Sequence, residues 1–136
     1  MICEKIKNIA YYMRYAHDNS LRKYNLTSTQ FLVLEYLIQN EGKDIIQKDI
    51  CDYLELKHST VIGIIKRLEN KKLILKEKGR KTNQISINNA GRKLFNEVSD
   101  IKSRYEEILL KGFNKSDVTK LNKQLDIMYA NIKNNI

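Results

Sequence analysis

A run of residues near the middle of the chain combines hydroxyl side chains and cations at a helical spacing. Within residues 58–71 the apolar side chains recur with the i, i+3, i+4, i+7 spacing of one buried helical face, at Val61, Ile64, Ile65 and Leu68. The opposite face is small, polar and basic, and consists of Ser59, Thr60, Gly63, Lys66, Arg67 and Asn70. Hydroxyl groups can form hydrogen bonds with base edges, and Lys and Arg can bind phosphates. The pattern therefore predicts a helix that can enter the major groove of DNA.

The positive charge continues beyond this helix into a segment with the pattern of a β-hairpin. Residues 73–78 and 84–87 alternate apolar and polar side chains, and the turn between them contains Gly79, Arg80 and Lys81. Residues 57–81 hold nine Lys or Arg and two Glu, a net charge of +7 out of +9 for the whole chain. This concentration of charge is typical of a surface that neutralises phosphates, since solubility alone does not require it.

Longer amphipathic helices are predicted on both sides of this basic segment. Residues 2–22 carry an apolar stripe formed by Ile2, Ile6, Ile9, Met13 and Ala16. Thr27 and Gln30 have the spacing of a capping box at the start of a second helix, which Gly42 ends. Asn88 and Asn114 can cap two later helices, over residues 88–109 and 114–132. The stripes of the first and last helices offer apolar surface for a homodimer.

The central segment resembles a known family of DNA-binding proteins. IIQKDICDYLELKHSTVIGIIKRLENKKLI, residues 45–74, resembles the helix-turn-helix of the MarR (multiple antibiotic resistance regulator) family of bacterial transcription factors. The hairpin that follows resembles the wing of that family, and SINNAGRKL resembles the start of its next helix. The resemblance implies a mainly α fold with a small β-hairpin wing, in a single domain. A winged helix-turn-helix lobe would cover residues 26–88, with dimerisation helices over residues 1–24 and 89–136.

The resemblance also implies a function. A homodimeric repressor of this kind binds a near-palindromic site on double-stranded DNA, and a small anionic or phenolic effector releases it. Tyr11, Tyr15 and Tyr36 are the candidate residues for the effector site. The candidate phosphate-binding residues are Lys48, Lys66, Arg67, Lys71 and Lys72, and the wing adds Arg80 and Lys81. The candidate base-contacting residues are His58, Ser59, Thr60 and Ile62, with Gly63 allowing close approach of the backbone.

Three features of the segment depart from the family pattern. Ile46 and Lys57 stand where polar caps are expected before the two helices, and His58 or Ser59 can replace the second cap. Ile62 and Gly63 stand where many members have a polar residue followed by Arg, and Gly79 replaces an Asp in a short wing. Ile62 either meets a thymine methyl group or packs at the edge of the domain, and the sequence leaves both interpretations open. Base specificity is therefore expected to differ from that of typical members.

Two alternatives to a ligand-released DNA regulator remain open from the sequence. The altered recognition helix allows a winged helix that binds another protein and no longer reads bases. Cys3 lies where the hydroperoxide-sensing branch of the family has its reactive cysteine, which implies a thiol-based redox regulator. His17 and Ser28, however, stand at the positions of the tyrosines that support that cysteine. Cys51 is expected to pack in the core.

The composition argues against several other classes of protein. With 42% hydrophobic and 30% charged residues, the chain has the composition of a globular domain without a membrane span. His17 and His58 belong to no catalytic motif, so neither an enzyme nor a cofactor is expected. The two cysteines, Cys3 and Cys51, lack metal-ligand spacing, and no secretory signal is recognisable; both features predict a cytoplasmic protein.

Overall fold

Six α-helices and one two-stranded antiparallel sheet make up the chain, which confirms the predicted fold class. The computed structural model describes residues 1–136 and divides them into two units, Met1–Lys102 and Ser103–Ile136. The elements are α1 (Ile2–Leu21), α2 (Ser28–Gln39), α3 (Gln47–Leu54), α4 (His58–Asn70), β1 (Ile74–Lys78), β2 (Asn83–Ile87), α5 (Asn89–Leu109) and α6 (Lys115–Lys133). A single 3-10 turn, Arg22–Tyr24, follows α1.

The core of the first unit is built around α2, which supports α3, α4 and the hairpin. The largest side chains that are fully buried come from four helices, at Val33, Leu34, Leu37, Ile50, Val61, Ile65, Leu68 and Val98. Phe31 of α2 stacks on Phe95 of α5 with ring centroids 5.2 Å apart. The apolar face predicted for α4 is therefore the face that packs, and the polar face of α4 is left outside.

Side chains cap the helices at the predicted positions. Thr27 Oγ1 accepts the Gln30 N–H at 3.1 Å, and Gln30 Oε1 accepts the Thr27 N–H at 3.2 Å, which completes the capping box of α2. Asn88 Oδ1 accepts the Gly91 N–H at 2.8 Å at the start of α5. Asn114 and Asp117 form the equivalent reciprocal pair at the start of α6. These bonds satisfy backbone donors that a helix start otherwise leaves without a partner.

The two unusual caps behave differently from each other. At the start of α3, Asp49 compensates in part for the apolar Ile46, because its carboxylate accepts the Ile46 N–H at 2.9 Å. At the start of α4, Lys57 keeps the cap position, and no side chain forms a cap hydrogen bond there. The expectation that His58 or Ser59 takes over this cap is therefore corrected, since α4 already begins at His58.

The hairpin pairs β1 with β2 in a regular register, from Ile74 opposite Ile87 to Lys78 opposite Asn83. Ile74, Ile85 and Ile87 are buried, while the outer residues of β1 are exposed. The Ile85 N–H also donates to the Ile45 carbonyl at 2.8 Å, which ties the hairpin to the segment before α3. The wing is thus fixed at its base, and its turn projects with Arg80 and Lys81 exposed.

The second unit, Ser103–Ile136, holds the end of α5, a turn at Gly112 with φ +92°, and α6. No residue of α6 is buried, and its exposed apolar side chains are Leu125, Ile127, Met128, Tyr129 and Ile132. Within the first unit, α1 likewise exposes Ile2, Ile6 and Ile9. None of the helices is both long and apolar enough to cross a membrane. The division of the chain into dimerisation helices and a DNA-binding lobe stays a prediction.

Candidate nucleic-acid interface

The outer face of α4 carries the side chains that the sequence assigns to DNA contact. Val61, Ile64, Ile65 and Leu68 are buried, which turns the other side of the helix toward solvent. Ser59, Thr60, Ile62, Lys66 and Arg67 are all exposed on that side. Ile62 is 51% exposed, so about half of its side chain is available on this face, and both interpretations of the residue stay predictions. The face combines two hydroxyl groups, one apolar side chain and two cations.

Arg67 lies back along the helix toward Gly63. One of its guanidinium nitrogens is 3.1 Å from the point that a β-carbon at residue 63 would occupy. Because Gly63 has no side chain, the guanidinium can lie against the outer face of α4 at this position. The glycine both exposes the helix backbone and sets the position of a cation one turn further along.

His58 connects the start of α4 with α3. Its Nδ1 lies 3.4 Å from Gln47 Nε2 and 3.5 Å from Cys51 Sγ. The amide and the thiol can both donate a hydrogen, so this pairing favours the tautomer in which Nδ1 accepts and Nε2 carries the hydrogen. The ring remains exposed. Its Nε2–H group is then a donor at the N-terminal end of α4, the end that contacts base edges in helix-turn-helix proteins.

The other predicted cations fall into two groups. Lys48 forms an exposed ion pair with Asp52 at 3.2 Å, one turn along α3. Such a surface pair contributes little to stability, so Lys48 can exchange its carboxylate partner for a phosphate at small cost. Lys72, Arg80 and Lys81 are exposed at and beyond the end of α4 and in the turn of the wing. These four side chains are accessible to a polyanion.

Lys71 differs from this accessible set because it is only partly exposed, and its assignment to phosphate binding stays a prediction. Its ammonium group donates to Gln30 Oε1 at 2.8 Å and, through a short contact, to the backbone carbonyl of Asn25. Burial, followed by the nearby charge of Arg67, lowers the pKa of Lys71. The side chain is therefore directed into the first unit, where it bonds to the segment between α1 and α2.

The three tyrosines proposed for an effector site are not brought together. Tyr11 and Tyr15 stack on each other along the exposed side of α1, with ring centroids 6.4 Å apart. Tyr36 packs instead against Tyr53 of α3, with centroids 4.6 Å apart. The helical spacing of Tyr11 and Tyr15 places both on one face of α1, and that face is not the one that lines the cavity described next.

A cavity of about 400 Å³ lies elsewhere in the first unit, between α1, α2, the end of α3 and α5. Its walls are largely apolar, and its cationic or titratable groups are Arg14, His17 and Lys102. Burial and the charge of Lys102 lower the pKa of His17, which Asp18 opposes. These residues come from helices that are far apart in sequence, so no local pattern could identify them.

The two cysteines occupy different environments. Cys3 is exposed near the start of α1, whereas Cys51 is buried, as predicted. Burial, followed by the charge of Asp52, raises the pKa of Cys51. Its thiol is therefore a poor nucleophile, and a redox role for Cys3 stays a prediction. No group of three or more His, Cys, Asp or Glu side chains lies together in a way that could hold a metal ion.

Comparisons with known proteins agree with this architecture. The fold matches MepR of Staphylococcus aureus, solved in a complex with DNA, with a TM-score of 0.91, 22% identity and coverage of 97% of this chain and 96% of that one. For the transcriptional regulator SlyA the TM-score is 0.88, at 22% identity and 98% and 95% coverage. For a MarR regulator from Methanosarcina mazei it is 0.86, at 22% identity and 99% and 91% coverage.

Sequence comparison identifies the family of the helix-turn-helix and wing. A search of curated proteins finds no match. The model of the MarR family, however, matches residues 24–81, from the end of the 3-10 turn to the tip of the wing. Proteins of this family are transcription regulators and not enzymes, in agreement with the sequence-based expectation. The helix-turn-helix and wing of this chain thus match the MarR family model, and the chain as a whole shares the fold of MepR and SlyA.

Proposed function

We propose that this protein is a sequence-specific DNA-binding transcription regulator that acts as a homodimeric repressor in the cytoplasm. The observation that carries the proposal is the outer face of α4. Ser59, Thr60 and Ile62 are exposed on the N-terminal half of the helix, and Lys66 and Arg67 follow on the same side. A groove-binding helix uses its N-terminal residues on base edges and its cations on phosphates, and this face has that order.

A relative in a complex with DNA supports the proposal. MepR was solved with DNA, and its fold is that of this chain over nearly the full length of both. In the corresponding arrangement here, Ser59, Thr60, Ile62 and the Nε2–H of His58 contact bases, and Gly63 lets the backbone approach them. Lys66, Arg67 and Lys48 bind phosphates next to the groove, with Lys72 beyond the end of α4. Arg80 and Lys81 of the wing contact the adjoining backbone or the minor groove.

A homodimer follows from apolar surface that neither unit covers by itself. In the first unit α1 exposes Ile2, Ile6 and Ile9, and in the second unit α6 has no buried residue at all. A second copy of the chain would bury these stripes and present two copies of α4. Their target is then a near-palindromic site with half-sites about one helical turn apart, on the order of 10 base pairs. Binding at such a site represses transcription by excluding polymerase.

The effector that releases the DNA is a small anionic or phenolic molecule in the cavity of the first unit. Its apolar walls suit an aromatic ring, and Arg14 and Lys102 supply positive charge at its border. The cavity lies within one unit, against α2, which supports the helix-turn-helix. This site replaces the tyrosine set that the sequence suggested.

Fluorescence anisotropy tests the DNA proposal. The probes are a duplex from the region upstream of the protein's own gene and a scrambled duplex of equal length, each at two salt concentrations. We expect a preference for the upstream duplex that persists at the higher salt, together with a steep negative slope of log affinity against log salt. A Ser59→Ala, Thr60→Ala variant should lose the preference but keep the slope, while a Lys66→Gln variant should reduce the slope by about one.

Other outcomes would point away from the proposal. Equal affinity for both duplexes that disappears at the higher salt would mean that the basic face attracts any polyanion. Absence of binding to either duplex would favour the protein-interaction alternative, for which the half-exposed Ile62 is the supporting feature. Size-exclusion chromatography with light scattering tests the dimer on the same sample, and a monomer at micromolar concentration would contradict it.

A further inference from the structure

Lys71, the residue directly after α4, makes the longest-range hydrogen bonds of any cation near the recognition helix. Its Nζ donates to Gln30 Oε1 at 2.8 Å and to the Asn25 carbonyl, so the bonds span 41 and 46 positions of sequence. Both acceptors are neutral, and burial disfavours the charged form of Lys71. A partly buried ammonium with this arrangement fixes geometry through directed hydrogen bonds and not through the attraction of an ion pair.

The acceptors of Lys71 are themselves held in place. Gln30 is only 5% exposed, and its Oε1 also accepts the Thr27 N–H in the capping box of α2. Asn25 has the left-handed conformation, with φ 55°, and its N–H donates to the Arg22 carbonyl at 2.9 Å. Just beyond, the Ser28 N–H donates to Asp18 Oδ1 at 2.7 Å, which joins the start of α2 to α1. Lys71 therefore reaches a rigid segment, residues 25–30.

The C-terminal end of α4, where the donor Lys71 lies, is also held by backbone hydrogen bonds. Lys71 caps α4, its N–H donates to the Arg67 carbonyl at 3.0 Å, and the Leu73 N–H donates to the Leu68 carbonyl at 3.1 Å. The recognition face of α4 lies one to three turns before this end. Because the helix is continuous from His58 to Asn70, fixing its C-terminal end limits how far its N-terminal end can swing.

We infer that Lys71 is a positioning residue, which aims the recognition helix by anchoring its C-terminal end to the start of α2 and does not itself bind DNA. This inference rests on the proposed function. It gives Lys71 a role different from that of the phosphate ligands. The two basic residues that follow α4 then have different roles in DNA binding. Lys71 contributes to the discrimination between DNA sequences, whereas its exposed neighbour Lys72 contributes to general affinity for the backbone.

The test compares Lys71→Met with the matched control Lys72→Met in the full-length protein. Gln30→Met removes the side-chain acceptor, and Gln30→Glu keeps an oxygen for both Thr27 and Lys71. Native-state hydrogen exchange on the free protein gives a readout that does not depend on DNA. We expect Lys71→Met and Gln30→Met to accelerate exchange by about tenfold or more at the amides of residues 25–31 and 71–73, without a comparable change in β1. Gln30→Glu and Lys72→Met should leave both segments protected.

DNA binding gives the second readout. Lys71→Met should lower the affinity for the preferred duplex by about tenfold and leave the affinity for the scrambled duplex and the salt slope unchanged. Lys72→Met should instead lower both affinities and reduce the slope by about one. The loss in the Lys71→Met, Gln30→Met double variant should be smaller than the sum of the two single losses, because both substitutions break the bond between Lys71 and Gln30.

Two outcomes would overturn the inference. Unchanged exchange in Lys71→Met would show that the anchor does not restrain the two segments, whatever the DNA result. A reduction of the salt slope by about one in Lys71→Met would make it a phosphate ligand like Lys72. If the wild-type protein fails to prefer any duplex, the proposed function fails separately, and the exchange data still decide whether Lys71 anchors α4.

Discussion

Gly91 lies against the backbone carbonyl of Leu73, so closely that no β-carbon fits between them. A β-carbon at this position would also come within 2.6 Å of Ile87 Cγ1, at the end of β2. The first turn of α5 therefore packs directly on the segment between α4 and the wing. Gly63, in the middle of α4, has only the flexible end of Arg67 within reach. Gly91 is therefore required by close packing against the backbone, whereas Gly63 is not.

Replacement of Gly91 by alanine should destabilise the protein. Neither the Leu73 carbonyl nor the base of the hairpin can move without disturbing the buried core around Ile74 and Ile87. We expect a loss of about 1–3 kcal/mol in the free energy of unfolding, the usual range for overpacking. Urea denaturation followed by circular dichroism measures it, with Ala90→Gly as a control for propensity alone. A stability equal to that of the wild type would contradict the close packing.

Replacement of Gly63 by alanine should have the opposite effect. Alanine is favoured over glycine within a helix by about 1 kcal/mol, and the neighbouring Arg67 nitrogen needs to move by only a few tenths of an ångström. We expect the free energy of unfolding to rise by up to about 1 kcal/mol in the same urea experiment. A decrease would mean that the resting position of Arg67 matters more for stability than helix propensity does.

Local patterns predict most of the elements because their causes are local. The capping box of Thr27 and Gln30, the caps at Asn88 and Asn114, and the hairpin around Gly79 each depend on residues within a few positions of one another. The apolar spacing in α4 likewise fixes which face is buried, and so which side chains face outward. The sequence therefore predicts the fold class and most of the outer face of α4.

Contacts between distant residues account for what the sequence does not predict. Charge and position make Lys71 resemble its neighbours, and only its hydrogen bonds to Gln30 and Asn25 distinguish it from them. Similarly, Tyr36 is drawn to Tyr53 of α3 and away from Tyr11 and Tyr15. The cavity near Arg14 and His17 is formed by residues from four separate segments of the chain. The periodicity of apolar residues along the sequence does not predict contacts of this kind.

Ile62 should discriminate thymine at one position of the target site. Its side chain is 51% exposed on the face of α4 that would enter the groove, where the thymine methyl group is the apolar feature of the base edges. Replacing each thymine of the preferred duplex in turn by uracil removes only that methyl group. We expect one such replacement to weaken wild-type binding severalfold, up to about tenfold, and to have little effect on Ile62→Ala. Equal sensitivity of both proteins to every replacement would remove Ile62 from base recognition.

Cys51 should react with thiol reagents only when the protein unfolds. The residue is 5% exposed, and burial followed by the charge of Asp52 raises the pKa of its thiol, so little thiolate is present at neutral pH. In a Cys3→Ser background, an aromatic disulfide reagent should modify Cys51 slowly in buffer and rapidly in concentrated urea. A Cys51→Ala protein, which retains the exposed Cys3, is the control and should react in buffer. Rapid modification of native Cys51 would mean that the helix-turn-helix opens readily.

Acidification should destabilise the protein through His17. Burial and the charge of Lys102 hold the pKa of His17 below its ordinary value of 6.5, despite the opposing carboxylate of Asp18. The unfolded chain therefore binds more protons at His17 than the folded chain does, so this contribution to stability is fully present above pH 6.5 and decreases as the pH falls from 6.5 through the lower, folded-state pKa.

His17→Gln, which cannot be protonated, isolates this contribution from that of the carboxylates. Thermal unfolding at several pH values between about 7.5 and 5.5 should give a shallower loss of Tm for the variant than for the wild type. Because Lys102 is also paired with Glu35 at 2.9 Å, a Glu35→Gln variant exposes His17 to the uncompensated ammonium and should steepen the loss. Parallel Tm curves for the wild type and His17→Gln would show that the cavity admits enough water to solvate the imidazolium, and that His17 does not titrate as a partly buried group.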